Sequence, residues 1–179
     1  RYNHQYCKKG WPMKTSDVKP LYIGIDPGKS GGLAVISRST STRAAADAEP
    51  MPETEGDIWE WFAGIPSARA IAVIEKVNGY IGPGSEAPGS AMFNFGWGYG
   101  NLRMALIASG ISFEEVTPQR WQKAMGIGSR KKTESKTQFK NRLKAKAQQL
   151  FPHIHVTLKT ADALLIAEYC RRKHEGRLG

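Results

Sequence analysis

Two short apolar runs in this 179-residue chain each end on an acidic residue. In the first, LYIGIDPGKSGGLAVIS (residues 21–37), Asp26 closes the run and a glycine-rich turn follows it. The second, ARAIAVIEK, reaches its acid at Glu75. Runs of this length and composition predict strands buried on both faces, as in sheets that helices cover on two sides. Because an ionised carboxylate at the end of such a strand is costly to bury, the pattern also predicts a compensating cation nearby.

The remaining segments predict further strands and several helices. GLAVIS predicts a partner for the first strand, a third, edge-like strand is predicted to end at Pro50, and ISFEEVTP predicts another. Helices are predicted over residues 54–65, 93–109, 132–150 and 161–172, the last with Thr160 as its cap. This order predicts an α/β or α+β domain with a mixed central sheet flanked by helices. Ligands of such sheets gather at the carboxyl ends of the strands, where Asp26 and Glu75 lie.

Domain organisation follows from length. The chain is long enough for one hydrophobic core, so we expect one domain over residues 21–175 behind an N-terminal extension, residues 1–20, without a catalytic role. The segment VNGYIGPGSEAPGSA after Glu75 has the composition of a mobile functional loop.

The charge is concentrated in one half of the sequence. The chain has a formal net charge of +10, and residues 119–177 hold 15 Lys or Arg against 4 Asp or Glu. A polarised distribution of this kind predicts a face that binds nucleic acid, and the alternative is a solvated basic surface. No apolar run approaches the roughly 20 residues of a membrane helix and no leader is evident, so neither a membrane nor secretion is expected. Cys7 and Cys170 form neither a metal spacing nor a disulfide framework, which favours a reducing compartment.

A third carboxylate completes the candidate site. Asp162 lies in the first turn of an apolar helix, ADALLIAEYC, on the same face as Ile166 and Tyr169, so burying that face carries it toward the strand ends. Three hard oxygen donors suit Mg²⁺ or Mn²⁺, and two such ions about 4 Å apart activate a water and stabilise the leaving oxygen of a phosphodiester. Taken singly, each acid has a structural alternative: a turn acceptor at Asp26, an ion pair with Lys76 or a distant Arg at Glu75, and an ordinary helix acid at Asp162.

Four segments together carry a resemblance to a known family: IGIDPGKSGGLAVI, AIAVIEKV, FNFGWGYGNLRMALIASGISFEEVTPQRWQKAMG and ADALLIAEYC. In this order they resemble the RuvC-type Holliday-junction resolvases of the ribonuclease H-like superfamily, closest to the phage and chloroplast branch. The resemblance implies a ribonuclease H-like fold and a homodimeric, Mg²⁺-dependent endonuclease with about two ions per site that makes paired nicks in four-way DNA junctions. It matches Asp26, Glu75 and Asp162 to the family's catalytic, metal-binding acids.

The resemblance also implies roles in DNA contact and shows one departure. The family usually has a further acid, or a His, one turn before the last carboxylate, and here Lys159 takes that place. A charged lysine cannot hold Mg²⁺, so Lys159 is expected to contact the scissile phosphate or to replace one ion's charge. Tyr80 and Phe93 flank the loop where the family places a residue that wedges into the junction. The expected phosphate contacts are Arg120, Lys123, Arg130, Lys131, Lys132, Lys136 and Lys140.

Three alternatives remain open at this stage. An actin-like kinase or ATPase also begins with an aspartate before a glycine turn, but needs a second lobe that this chain hardly provides. A non-catalytic junction-binding protein would explain Lys159 as decay of the metal site. A nuclease of the same superfamily that acts on flaps, forks or RNA–DNA hybrids would keep the chemistry. The expected location is intracellular, in a bacterial or phage-infected cytoplasm or in an organelle such as the chloroplast.

Overall fold

A computed structural model describes residues 19–37, 45–77 and 89–178 of the chain. Five strands, five α-helices and one short 3₁₀ helix (Ser67–Arg69) are present in these residues. The strands are β1 (Leu21–Asp26), β2 (Gly32–Ser37), β3 (Ala45–Pro50), β4 (Ala70–Glu75) and β5 (Ser112–Val116). The helices are α1 (Glu55–Ala63), α2 (Gly89–Ala108), α3 (Pro118–Ala124), α4 (Lys136–Leu150) and α5 (Ala161–His174). None of the described helices is long and apolar enough to cross a membrane.

The strands form one mixed sheet in the order β3-β2-β1-β4-β5. β1 and β2 pair antiparallel, as do β2 and β3, whereas β4 pairs parallel with both β1 and β5. Because β1, β4 and β5 point the same way, their carboxyl ends lie along one edge of the sheet. The tight turn from β1 into β2 is at this edge, and Gly28 adopts there a φ of 102°, which other residues rarely tolerate.

Helices cover both faces of the sheet, as expected. On one face α5, α3 and α4 pack over Tyr22, Ala34 and Val73 to form one apolar core. On the other face α1 and α2 pack over Ile23, Leu33 and their neighbours to form a second core. The central strands β1 and β2 are therefore buried on both sides, which is what their continuous apolar composition predicts.

Some predicted boundaries were wrong and one helix was missed. β1 and β2 have the predicted limits, and β4 ends at Glu75 as predicted but begins only at Ala70, after the 3₁₀ helix Ser67–Arg69. α4 begins at Lys136 rather than Lys132, because Ser135 and Gln138 form a capping box. α2 already includes Gly89, four residues before its predicted start. α3 was not predicted at all. Thr160 precedes α5 as expected, but its side chain makes no capping hydrogen bond. The predicted mobile loop lies for the most part outside the described residues, and the division into extension and domain stays a prediction.

Candidate metal and nucleic-acid site

The carboxylates of Asp26 and Glu75 lie side by side at the carboxyl edge of the sheet. Strands β1 and β4 pair with Ile25 opposite Ile74, so the next residue of each strand is its terminal acid. Asp26 is buried and Glu75 is partly buried. The parallel register therefore brings together the two acids that the sequence placed at strand ends.

Asp162 joins them because α5 lies in unusually close contact with β1. A Cβ atom at Gly24 would be 2.1 Å from the carbonyl oxygen of Ala163 and 2.2 Å from the amide nitrogen of Ala167. Only glycine permits the backbones to approach this closely. Asp162, adjacent to Ala163 in the first turn of α5, is itself buried. The glycine in the middle of β1 thus brings the third acid to the same site.

The three acids oppose one another's ionisation. Burial, with a further contribution from the charges of Asp162 and Glu75, raises the pKa of Asp26 from its ordinary value of 3.8 to about 8. Burial likewise raises the pKa of Glu75 and of Asp162. This arrangement is costly for the fold alone, so its carboxylates form a site that favours a bound cation.

One cation is already present, as the side chain of Lys140 from α4. Its ammonium group donates a hydrogen bond to Asp162 Oδ2 over 2.5 Å. Burial opposes the charged form of Lys140, but the attraction of Asp162, with smaller contributions from Asp26 and Glu75, outweighs it and raises the pKa of the amine. Lys140 was predicted as a DNA contact; in the metal-free chain it is an ion-pair partner of the carboxylates.

Sequence reasoning missed a second partner, Trp121 of α3. Its side chain is fully buried, and Nε1 donates a 2.6 Å hydrogen bond to Glu75 Oε2. This bond lowers the pKa of Glu75 and so counteracts part of the effect of burial. Because the indole is fixed by the core, it orients the Glu75 carboxylate. The Thr117-Pro118 pair, a typical helix start, was the sequence signal for α3.

The donors have the right chemistry for a divalent cation but do not form a ready cage. Within residues 19–37, 45–77 and 89–178, no three His, Cys, Asp or Glu side chains form a group that by itself could hold a metal ion. Asp162 Oδ1 is buried, however, and has no hydrogen-bond partner among these residues. An orphaned carboxylate oxygen beside two further acids fits Mg²⁺ or Mn²⁺, both of which bind oxygen ligands.

The predicted phosphate-binding residues extend from this site. All are exposed apart from the half-buried Lys140; they are Arg120 and Lys123 of α3, Arg130, Lys131 and Lys132 of the segment before α4, and Lys136 and Lys140 of α4. Lys136 lies one turn before Lys140, so basic side chains continue from the carboxylates along α4. Lys159 is exposed in the turn before α5 and, within the described part of the chain, makes no ion pair with the three acids.

Aromatic side chains at the start of α2 lie near the same edge. Phe93 is 66% exposed and its ring lies 6.0 Å from that of Trp97, whose indole nitrogen donates to Glu55. Phe95 contacts the turn after Asp26, since a Cβ atom at Gly28 would come within 3.0 Å of its ring. Of the two predicted wedge residues, Phe93 is therefore available to a ligand, and Tyr80 lies outside the described residues.

The fold is similar to known structures although the sequence is not. The chain matches no protein-family model and no curated protein. It is similar to the Thermus thermophilus RuvC structure, with a TM-score of 0.55 at 15% identity, over 88% of this chain and 97% of that one. The chain has a RuvC-like fold. T. thermophilus RuvC in complex with Holliday junction substrate is also similar, with a TM-score of 0.58 at 16% identity and the same coverage. At these identities the likeness establishes the RuvC and ribonuclease H-like architecture.

Proposed function

We propose that this protein is a metal-dependent endonuclease that resolves four-way DNA junctions by paired nicks. The observation that carries the proposal is the convergence of Asp26, Glu75 and Asp162, whose burial and mutual repulsion favour a bound cation. The RuvC-like fold supports it, since a similar structure is that of RuvC in complex with Holliday junction substrate. Assignment to the phage and chloroplast branch, and an intracellular location, remain part of the proposal.

The three carboxylates would hold one or two Mg²⁺ ions, with Mn²⁺ as a substitute. Bound there, the metal supplies an activated water and stabilises the leaving oxygen of the phosphodiester. The chain's own residues prepare the site: Trp121 fixes the direction of Glu75, and the close contact at Gly24 fixes α5 and Asp162. Lys140 forms an ion pair with Asp162 and so would balance its charge before a metal ion binds.

In this proposal the basic residues of α3, α4 and the segment between them contact DNA. They neutralise phosphates next to the carboxylates, which gives affinity that does not depend on base sequence. Phe93 is exposed, and Phe95 lies at the turn after Asp26, so both rings offer faces on which an unpaired base at the junction can stack for about 1–3 kcal/mol.

A homodimer is also part of the proposal, because paired nicks need two sites. An exposed stripe on α2 supports it: Phe93, Trp97, Met104 and Ile107 are each more than half exposed. With Gly100, these positions follow alternating spacings of four and three residues. Such spacing is typical of a helix that packs along another helix, and a second α2 is the partner that closes a two-fold dimer.

The test is cleavage of a labelled four-way junction in Mg²⁺, Mn²⁺ or EDTA, with linear duplex as the control substrate. Symmetric nicks that need metal and appear on the junction alone are expected. Asp26→Asn, Glu75→Gln and Asp162→Asn should each abolish them while junction binding in EDTA persists. Nicks on flaps, forks or RNA–DNA hybrids but not on the four-way junction would contradict the substrate assignment.

The Lys140–Asp162 ion pair favours a second candidate, a junction-binding protein without nuclease activity. A lysine in contact with a metal-binding acid is what a site that has replaced an ion by a fixed charge would contain. Calorimetric titration with Mg²⁺ and Mn²⁺ separates the candidates, since the binding protein should take up neither ion. Junction binding without nicks in both metals would select this candidate.

A further inference from the structure

Arg142 of α4 is a partly exposed basic residue whose guanidinium group makes its hydrogen bonds within the protein. Nε and Nη2 donate to the two carboxylate oxygens of Glu134 over 3.0 and 2.8 Å. Nη1 donates to the carbonyl oxygen of Ile127, and Nη2 also to that of Ser129. The guanidinium carbon lies 5.0 Å from the centre of the Phe139 ring. All three guanidinium nitrogens therefore donate hydrogen bonds within the chain.

The groups that Arg142 holds belong to one segment, residues 127–135, which we term the basic loop. Glu134 makes several hydrogen bonds within this loop. Its Oε2 accepts a hydrogen bond from the Lys131 amide, its own amide donates to the Lys131 carbonyl, and its carbonyl accepts from Arg130 Nη1. Ser135 then caps α4. The loop is consequently held by Arg142, by the contacts of Glu134 and by the start of α4, although six of its nine residues are exposed.

Lys131 and Lys132 are exposed on this fixed loop, next to the start of α4. Lys140, which contacts Asp162, lies only one turn beyond Lys136, the first residue of that helix. The basic loop therefore presents two exposed ammonium groups at the start of the helix that also carries Lys140 to the carboxylates. A loop that is ordered before binding loses less conformational entropy when it meets a ligand.

We propose that Arg142 and Glu134 are positioning residues that preform the basic loop as a binding surface for the phosphate backbone of DNA. The inference rests on the proposed function for the identity of the ligand. In this view Glu134, an acid within a run of cations, raises DNA affinity, because it holds the loop in its binding conformation. Simple electrostatics requires the reverse, since an acid beside the binding face repels phosphate.

Two substitutions distinguish the preformed loop from simple electrostatics, because each changes the contacts of the loop and its charge differently. Glu134→Gln removes one negative charge, so simple electrostatics predicts tighter binding, whereas preformation predicts binding about tenfold weaker. Arg142→Lys keeps the charge but loses the planar two-point contact with Glu134, so simple electrostatics predicts no change and preformation again predicts a loss. The matched controls are Asp47→Asn on the exposed edge of β3 and Arg177→Lys after α5, and both should bind at least as tightly as wild type.

The assay is equilibrium binding of a labelled four-way junction in EDTA at several salt concentrations, with heparin as a second polyanion. For Glu134→Gln and Arg142→Lys the slope of log affinity against log salt should fall by about 1 to 2, because Lys131 and Lys132 no longer both reach phosphate. Hydrogen exchange should show the Lys131 amide losing protection while α5 keeps its own. A merely structural role would instead lower protection throughout the chain and leave the salt slope unchanged.

The outcomes also separate this inference from the proposed function. Unchanged or tighter binding by Glu134→Gln, with wild-type binding intact, overturns the inference and leaves the nuclease proposal standing. Wild-type binding without nicks, together with weaker binding by both variants, supports the inference and refutes the nuclease. If the wild-type chain binds neither junction nor heparin, both are refuted.

Discussion

Asp26→Asn should abolish cleavage and at the same time stabilise the metal-free protein. Burial, with a smaller contribution from the charges of Asp162 and Glu75, raises the pKa of Asp26 from its ordinary value of 3.8 to about 8. Between these values the folded chain keeps a proton that the unfolded chain has lost. The stability contributed by the neutral carboxyl is therefore complete at low pH and is lost as pH rises toward the folded-state pKa. Asparagine does not titrate, so the variant escapes this loss.

The size of the effect follows from the same shift. Each pH unit above the unfolded-state value of 3.8 is worth about 1.4 kcal/mol, so the limit at pH 7 is about 4 kcal/mol. Water penetration and the charge of Lys140 reduce the cost of a buried carboxylate in practice. We therefore expect the free energy of unfolding of Asp26→Asn to exceed that of wild type by on the order of 2 kcal/mol at pH 7, and to approach it near pH 4.

Urea unfolding in EDTA between pH 4 and pH 9, followed by tryptophan fluorescence, measures this difference directly. Asp47→Asn is the charge-matched control on an exposed strand and should change stability by less than about 0.5 kcal/mol. Added Mg²⁺ should stabilise wild type by mass action and leave Asp26→Asn unaffected. A variant that is less stable than wild type at pH 7 would refute the reasoning, because Asp26 would then be an acceptor that stabilises its turn.

Three further substitutions test other contacts of the site and surface. Trp121→Phe keeps an aromatic ring in the core but removes the hydrogen bond to Glu75, so nicking in single-turnover assays should slow by about tenfold to a hundredfold. In thermal melts the melting temperature should fall by only a few degrees. Lys140→Met removes the cation that competes for Asp162, so calorimetry in the absence of DNA should show tighter Mg²⁺ binding; weaker binding would mean that Lys140 orients the acid. Met104→Glu, at an exposed position of α2, should convert a dimer into a monomer in sedimentation velocity, and an unchanged mass would exclude this helix as the interface.

The elements that the sequence predicted well are those whose environment is uniform. β1 and β2 have the predicted limits, and β4 the predicted end, because strands covered on both faces need apolar residues throughout and stop where a polar residue or a turn occurs. The start of α5 was likewise correct. α3 was missed because seven residues are too few to show a helical period, and the start of α4 depends on a side-chain cap rather than on apolar spacing.

The arrangement of the site, too, could be predicted from the sequence only in part. That Asp26 and Glu75 are neighbours follows from parallel pairing of two strands that each end in an acid. The position of Asp162 needed the direct contact of α5 with Gly24, and nothing in the sequence around that glycine reveals which helix will cross it. Lys140 and Trp121 belong to helices whose crossing with α5 is set by the core, so their contacts with Asp162 and Glu75 were beyond sequence reasoning.

The charge of the site explains why a lysine among the carboxylates is compatible with a nuclease. With all three acids ionised and Lys140 paired to Asp162, the cluster carries two negative charges, which one divalent ion balances. Two ions would leave an excess of positive charge that the scissile phosphate only partly offsets, and Lys140 is then free to leave Asp162 for that phosphate. In the proposed function Lys140 would then contact DNA, so that its predicted role and its pairing with Asp162 are compatible. We infer that Lys140, which the fold holds at the acids, performs the task that the sequence had suggested for Lys159.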